Sequence, residues 1–206
     1  MTVWVGVLAY HFLAHRRCPL MNRLLDYAPS AGVVVDVGAN GGCEMNVALG
    51  RGRRVIGFEC LHSAFQELLP VMAPHPNATL VHACASNRTA LSQLHLAMDS
   101  SSLIAHNIAS GPELRKVRVP NDTEPALLIP LDPILSEAPV AAVKIDVQGG
   151  EYEVLQGMLD VLKRDLPAIA YEDTQRFEKH GDAGELLRGL GYNCVLIGGD
   201  QLCHAR

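Results

Sequence analysis

No run of roughly 18 apolar residues occurs in the 206-residue chain, so no complete transmembrane helix is encoded. No C-x-x-C pair occurs among the six cysteines, which argues against a zinc knuckle or a thioredoxin-like site. No His/carboxylate cluster has metal-ligand spacing, so no catalytic metal is expected. Basic residues are not in excess: 17 Lys+Arg face 22 Asp+Glu, a formal charge of −5. A chain of that balance is poorly suited to gripping nucleic-acid phosphates. Internal repeats, low-complexity tracts and long linkers are also missing.

What is present is an ordinary globular composition, 49% hydrophobic and 19% charged, of a length that suits one domain. Strand and helix signals alternate. Val33–Val37 is a β-branched run ending in glycines and reads as a buried parallel strand. Arg54–Phe58 and Thr79–Ala83 are further strands, with a helical stripe over 61–72 between them. Ala141–Asp146 is a fourth strand, followed by a helix over 154–162, and Ala168–Tyr171 is a fifth. Asp182 caps a helix with Glu185 three positions on, and Gly191 ends it. Residues 193–197 and 201–204 read as a closing hairpin. This pattern predicts an α/β three-layer sandwich with a mostly parallel sheet. A β-rich segment over about 91–135 interrupts it between the third and fourth core strands. In such sheets the ligand lies beyond the carboxyl ends of the strands, where this insertion is placed to cover it. The main domain is expected over 31–206, preceded by a helical segment over 1–30.

Cys43, Cys60 and Cys84 sit beside predicted strand ends, and the cysteines read as reduced, structural thiols. A Cys194–Cys203 pairing across the terminal hairpin stays open. Residues 3–14 are largely apolar, with Arg16 and Arg17 after the run. A signal peptide has its positive charge before such a run, so the segment reads as a helix packing on the domain. A cytoplasmic location is expected. Three N-x-T sequons, at Asn77, Asn87 and Asn121, point the other way, to a secretory route.

Two blocks carry the chemistry. The first is Val35–Gly42, a strand running into a glycine-rich turn. The nicotinamide fingerprint G-x-G-x-x-G fails here, because Asn40 and Cys43 occupy its second and third glycine positions. A P-loop fails too. Asp36, within the strand end, would repel a pyrophosphate and suits a cationic ligand. Glu59 ends the next strand, where nucleoside-binding α/β folds place an acid that accepts hydrogen bonds from the ribose hydroxyls. The second block is Lys144–Glu151. A Lys and an Asp at the end of a central strand face either a site or each other.

The chain resembles the FkbM family of S-adenosylmethionine-dependent methyltransferases over about Val33 to Glu172. The resemblance rests on VVDVGANGG, the acid in IGFEC, Ser101-Ser102-Leu103 with a later Leu131-Asp132, and KIDVQGGEYEVLQGM. Gln148 stands where the family usually has Glu, and Cys60-Leu61 replaces the usual Pro-Asn. The resemblance implies a class I methyltransferase fold, a Rossmann-like seven-stranded sheet with its last strand antiparallel, and S-adenosyl-L-methionine as cofactor. It implies Asp36 and the backbone of Gly38, Ala39, Asn40 and Gly41 beside the methionine moiety, and Glu59 on the ribose. By the same resemblance Cys60 would lie on the adenine-side loop, Ser86 and Asn87 would edge the adenine, and Asp146 would be near the sulfonium and the acceptor.

The expected reaction is methylation of a hydroxyl on a small molecule or sugar. Asp146 is the first candidate base and Glu172 the second. His106 and His180 lie in loops and are weaker candidates. The alternative is a non-catalytic S-adenosylmethionine- or nucleoside-binding module, for which Gln148 is the main support. No nucleic-acid partner and no stable membrane span are expected.

Overall fold

Five consecutive buried residues, Val33–Val37, form β1, one of the inner strands of the sheet. The computed structural model describes residues 18–96, 101, 103, 122–173 and 181–205. Pro19–Tyr27 is α1, and β1 is followed by α2 (Cys43–Gly50). Next come β2 (Val55–Glu59), α3 (His62–Met72) and β3 (Ala78–His82). After these come β4 (Cys84–Ala85), ahead of the expected insertion, and then β5 (Ala90–His95) and β6 (Thr123–Ile129). The core resumes with β7 (Val140–Ile145), α4 (Glu151–Gln156), α5 (Leu159–Asp165) and β8 (Ala168–Glu172). It closes with α6 (Ala183–Gly189), β9 (Tyr192–Ile197) and β10 (Asp200–Ala205).

The seven-stranded sheet has the order β3-β2-β1-β7-β8-β10-β9. β10 runs antiparallel to both neighbours, and the other ladders are parallel. Alternation along each strand sorts the core into two layers. Val33, Val35, Val37, Val143 and Ile145 face α4, α5 and α6. Val34 and Ala142 face α1, α2 and α3. The architecture is therefore the expected three-layer α/β sandwich. The closing hairpin is present as β9–β10, and Asp182 caps α6 by accepting from the Glu185 N–H at 2.8 Å.

β4, β5 and β6 form a second sheet of order β4-β6-β5. Within the expected β-rich segment, Lys116–Val119 lies outside the described residues, as do the apolar run 3–14, His106 and His180. Within the 61–72 stripe, Leu68 and Met72 are buried while Leu69 is 40% exposed.

One sequence expectation needs correction. The cysteines are not free thiols: Cys18–Cys43, Cys60–Cys84 and Cys194–Cys203 are disulfides. Cys60 follows β2 and Cys84 follows β3, so adjacent parallel strands deliver them to one place with Cα atoms 4.5 Å apart. Cys194 and Cys203 are direct cross-strand partners. The first proximity is not encoded in sequence spacing, whereas the second follows from the hairpin, across which that pairing stood open. Of the segment before residue 31, the described residues 18–30 pack on the domain. Met21 and Leu24 of α1 are fully buried in the core beneath β1, and the Cys18–Cys43 bridge ties the start of α1 to α2.

If α1 is part of the core, Leu24→Ala should cost about 2–5 kcal/mol, the range for truncating a buried leucine. Urea denaturation measures this, and a cost well under about 1 kcal/mol would show a helix merely resting on the surface.

Candidate active site

The two sequence blocks meet at the carboxyl ends of β1, β2 and β7. Asp36 and Lys144 are register partners on adjacent strands, and parity turns both toward α2. The Lys144 ammonium lies 3.5 Å from Asp36 Oδ1 and 3.6 Å from Asp146 Oδ2, and it donates to the Gly38 carbonyl at 3.2 Å. Asp36 is fully buried, and neither of its oxygens has a hydrogen-bond donor among the described residues. Burial pushes its carboxyl up to about 7, and the Lys144 ammonium offsets only part of that cost. Burial also acts to lower Lys144, but Asp36 and Asp146 outweigh it and hold the ammonium above its ordinary value.

Above this pair runs the glycine turn. Gly38 has φ +81°, and a Cβ there would run into the Asp146 carbonyl oxygen. Asp146 N–H in turn donates to the Val37 carbonyl at 3.0 Å. Gly38 and Ala39 N–H both donate to the Phe58 carbonyl, at 2.9 and 3.1 Å. The next N–H, of Asn40, donates to Glu59 Oε2 at 2.7 Å, and Leu61 N–H donates to Glu59 Oε1 at 2.7 Å. Two backbone amides thus fix the orientation of the Glu59 carboxylate.

These elements wall a cavity of about 440 Å³. Gly38, Ala39, Asn40, Gly41, Glu59, Cys60, Ser86 and Asp146 all line it, as anticipated for a ligand beyond the strand ends. The insertion closes one side through Ser92, Leu94, Leu128, Ser101 and Leu103. Three anticipated residues do not line it. Asp36 lies beneath the turn and meets the cavity only through Lys144. The Asn87 side-chain amide donates to Gln156 Oε1 at 2.8 Å. Glu172 stands behind Gln148, whose Nε2 donates both to Asp146 Oδ1 at 2.7 Å and to Glu172 Oε2 at 2.8 Å.

Sequence reading passed over Glu44, Arg88 and Glu153, which also line the cavity. Only the helical position of Glu44, in the first turn after the glycine loop, could have signalled its place. Other motif residues are structural. Glu151 Oε1 accepts from Val147 and Gly149 N–H, bracing the turn after β7, and burial pushes its carboxyl up. Asp132 accepts from Asp160 and Val161 N–H at the start of α5. A Cβ at Gly157 would run into the Ser86 carbonyl oxygen, so the end of α4 lies directly against the cavity wall. Among the described residues, the one grouping of potential metal-ligand atoms is Cys18, Cys43 and Glu44, whose two sulfurs form a disulfide.

The sheet order, the single antiparallel strand and a cavity at the carboxyl ends define a class I methyltransferase fold. The family described as the methyltransferase FkbM domain matches residues 36–194, and the chain belongs to that family. The crystal structure of methyltransferase FkbM from Methylobacillus flagellatus is similar at a TM-score of 0.60 and 18% identity, over 85% of this chain and 44% of that one. The chain thus spans less than half the length of that relative. An RNA methyltransferase from Salinibacter ruber in complex with S-adenosyl-L-homocysteine superposes at 0.47 with 14% identity, covering 91% of this chain and 89% of that one. An rRNA methylase from Streptococcus thermophilus gives 0.48 and 14%, covering 90% and 93%. Comparison with curated proteins found no match.

The Asp36 environment makes stability depend on pH. A carboxyl whose folded-state value is raised stabilises the fold when protonated. Its contribution is full below about pH 4, the unfolded value. It is lost as pH rises through about 7. Asp36→Asn lacks that titration. Its melting temperature should therefore gain on that of the wild type between about pH 5 and pH 8. Calorimetry at both pH values checks this, and a pH-independent difference would contradict the raised carboxyl.

Proposed function

We propose that this chain is an S-adenosyl-L-methionine-dependent methyltransferase acting on a hydroxyl of a small molecule or sugar. The observation that carries the reading is the cavity's charge. Glu44, Glu59, Asp146 and Glu153 line it against Lys144 and Arg88. Such a lining favours a sulfonium and an ammonium over a pyrophosphate. The volume of about 440 Å³ falls in the range of small-molecule and cofactor sites. Glu59, aimed by two backbone amides, is suited to accept from a vicinal diol.

When bound, the cofactor supplies a methyl group activated by its sulfonium. The chain's own part is to bind, to orient and to take up a proton. Glu59 would hold the ribose, and the Gly38–Gly41 backbone would let the methionine end approach closely. Asp146 would orient the acceptor hydroxyl and accept its proton. Its carboxylate is fixed by Lys144 and by the Gln148 amide, so no reorganisation is needed as the proton arrives. Its side chain is 39% exposed, which lets the proton pass on to water. Glu172 does not line the cavity, which favours Asp146 as the base. Gln148 donates to both carboxylates. A Glu there would add a third negative group and remove that donor, so the substitution is compatible with turnover.

Glu59→Ala removes charge-assisted hydrogen bonds worth roughly 1.5–3 kcal/mol. Affinity for S-adenosylmethionine, measured by isothermal titration, should fall about 10- to 150-fold. Unchanged affinity in a folded variant would remove the ribose assignment.

Asp146→Asn keeps the shape but deletes the base. Release of S-adenosylhomocysteine with a panel of sugar and small-molecule alcohols should fall by about 10²- to 10⁴-fold, with a much smaller change in cofactor affinity. Undiminished turnover would exclude Asp146 as base. Wild-type protein that binds the cofactor yet turns over no acceptor would favour a binding module instead.

A further inference from the structure

Neither the disulfides nor the sequons are used by the methyl-transfer reading. All six cysteines are paired, in three bridges whose Cα atoms lie 6.3, 4.5 and 4.1 Å apart. The bridges occupy three different parts of the fold: α1 to α2, the end of β2 to the end of β3, and across β9–β10. Chains held in reducing compartments rarely keep such bridges, whereas secreted and lumenal chains do. Independently, three N-x-T sequons occur among eight asparagines, where about one is expected at ordinary Ser/Thr usage.

The sequons differ in structural setting. Asn121 lies outside the described residues. Asn87 is exposed, but its amide is bonded to Gln156 and its backbone packs beside Gly157 at the cavity wall. Asn77 is open. Its carbonyl accepts from Val55 N–H at 2.8 Å, which fixes the backbone, while Asn77 and Thr79 are both exposed. It precedes β3, the edge strand of the main sheet. It enters that strand at the amino end, opposite the cavity at the carboxyl ends. A large substituent there would clear the site and shield an open sheet edge.

We propose that this chain matures in an oxidising secretory compartment and that Asn77 is an N-glycosylation site. In the modification, Asn77 Nδ2 forms a bond to the anomeric carbon of an oligosaccharide. The bond from that carbon to the oxygen of a lipid-linked pyrophosphate breaks, the pyrophosphate leaves, and the amide gives up one proton to a base. Asn77 lines no part of the cavity, so the modification is separable from cofactor binding.

The test is a peptide map of the native protein from its source, alkylated under denaturing, non-reducing conditions. The expected result is three linked cysteine pairs and an Asn77 peptide that peptide-N-glycosidase converts to the aspartate form. Alkylated cysteines overturn the compartment. An unmodified Asn77 overturns the site, including the case of a disulfide-bonded chain without glycan. In a secreting eukaryotic host, Asn77→Gln should abolish glycosidase-sensitive mass at that peptide and leave S-adenosylmethionine titration unchanged. Glycan loss without change in titration keeps this inference distinct from the methyltransferase reading. Failure of the wild type to bind the cofactor would touch only the latter.

Discussion

The Lys144 ammonium is the contact on which the site depends. It sits 3.5 Å from Asp36 and 3.6 Å from Asp146, and it donates to the Gly38 carbonyl. One buried cation therefore joins the two central strands, the glycine turn above them and the carboxylate that faces the cavity. A lysine so buried is costly unless paired, and an aspartate so buried is costly without it. Each justifies the other. Asp36 thus shapes the site from beneath.

The glycine turn transmits that constraint outward. Gly38 lacks the Cβ that would strike the Asp146 carbonyl, so the loops after β1 and β7 lie in contact. The same turn offers the Asn40 N–H to Glu59, which links β1 to β2 at the cavity. Three strand ends are tied together at the turn, Glu59 is held by two backbone amides, and Asp146 is held by Lys144 and Gln148. Preorganised charge of this kind is what a site for a cationic ligand requires.

The insertion completes the enclosure. Its inner face places Ser92, Leu94 and Leu128 against the cavity, while the Cys60–Cys84 bridge fastens the loop after Glu59 to the end of β3. Cys60 and Leu61 directly follow Glu59, so the bridge sits next to that carboxylate. A covalent tie restrains that stretch of backbone.

Strand-and-helix alternation, the β-branched runs and the glycine turn were enough to read the fold, because hydrophobic period and turn chemistry act over neighbouring residues. The cavity-lining residues near strand ends were legible for the same reason: in a parallel α/β sheet, chain order places them at one edge. The closing hairpin left a Cys194–Cys203 pair open, but the Cys60–Cys84 pair was not legible, since these residues are 24 apart and meet only because β2 and β3 are neighbours. Nor was the place of Asp36 and Glu172. Sequence sets which residue ends a strand. Which side of the sheet it faces, and whether Lys144 or Gln148 stands between it and the cavity, depends on parity and register across strands. Those are set by the packed sheet as a whole, where a one-residue shift turns a side chain from the site into the core.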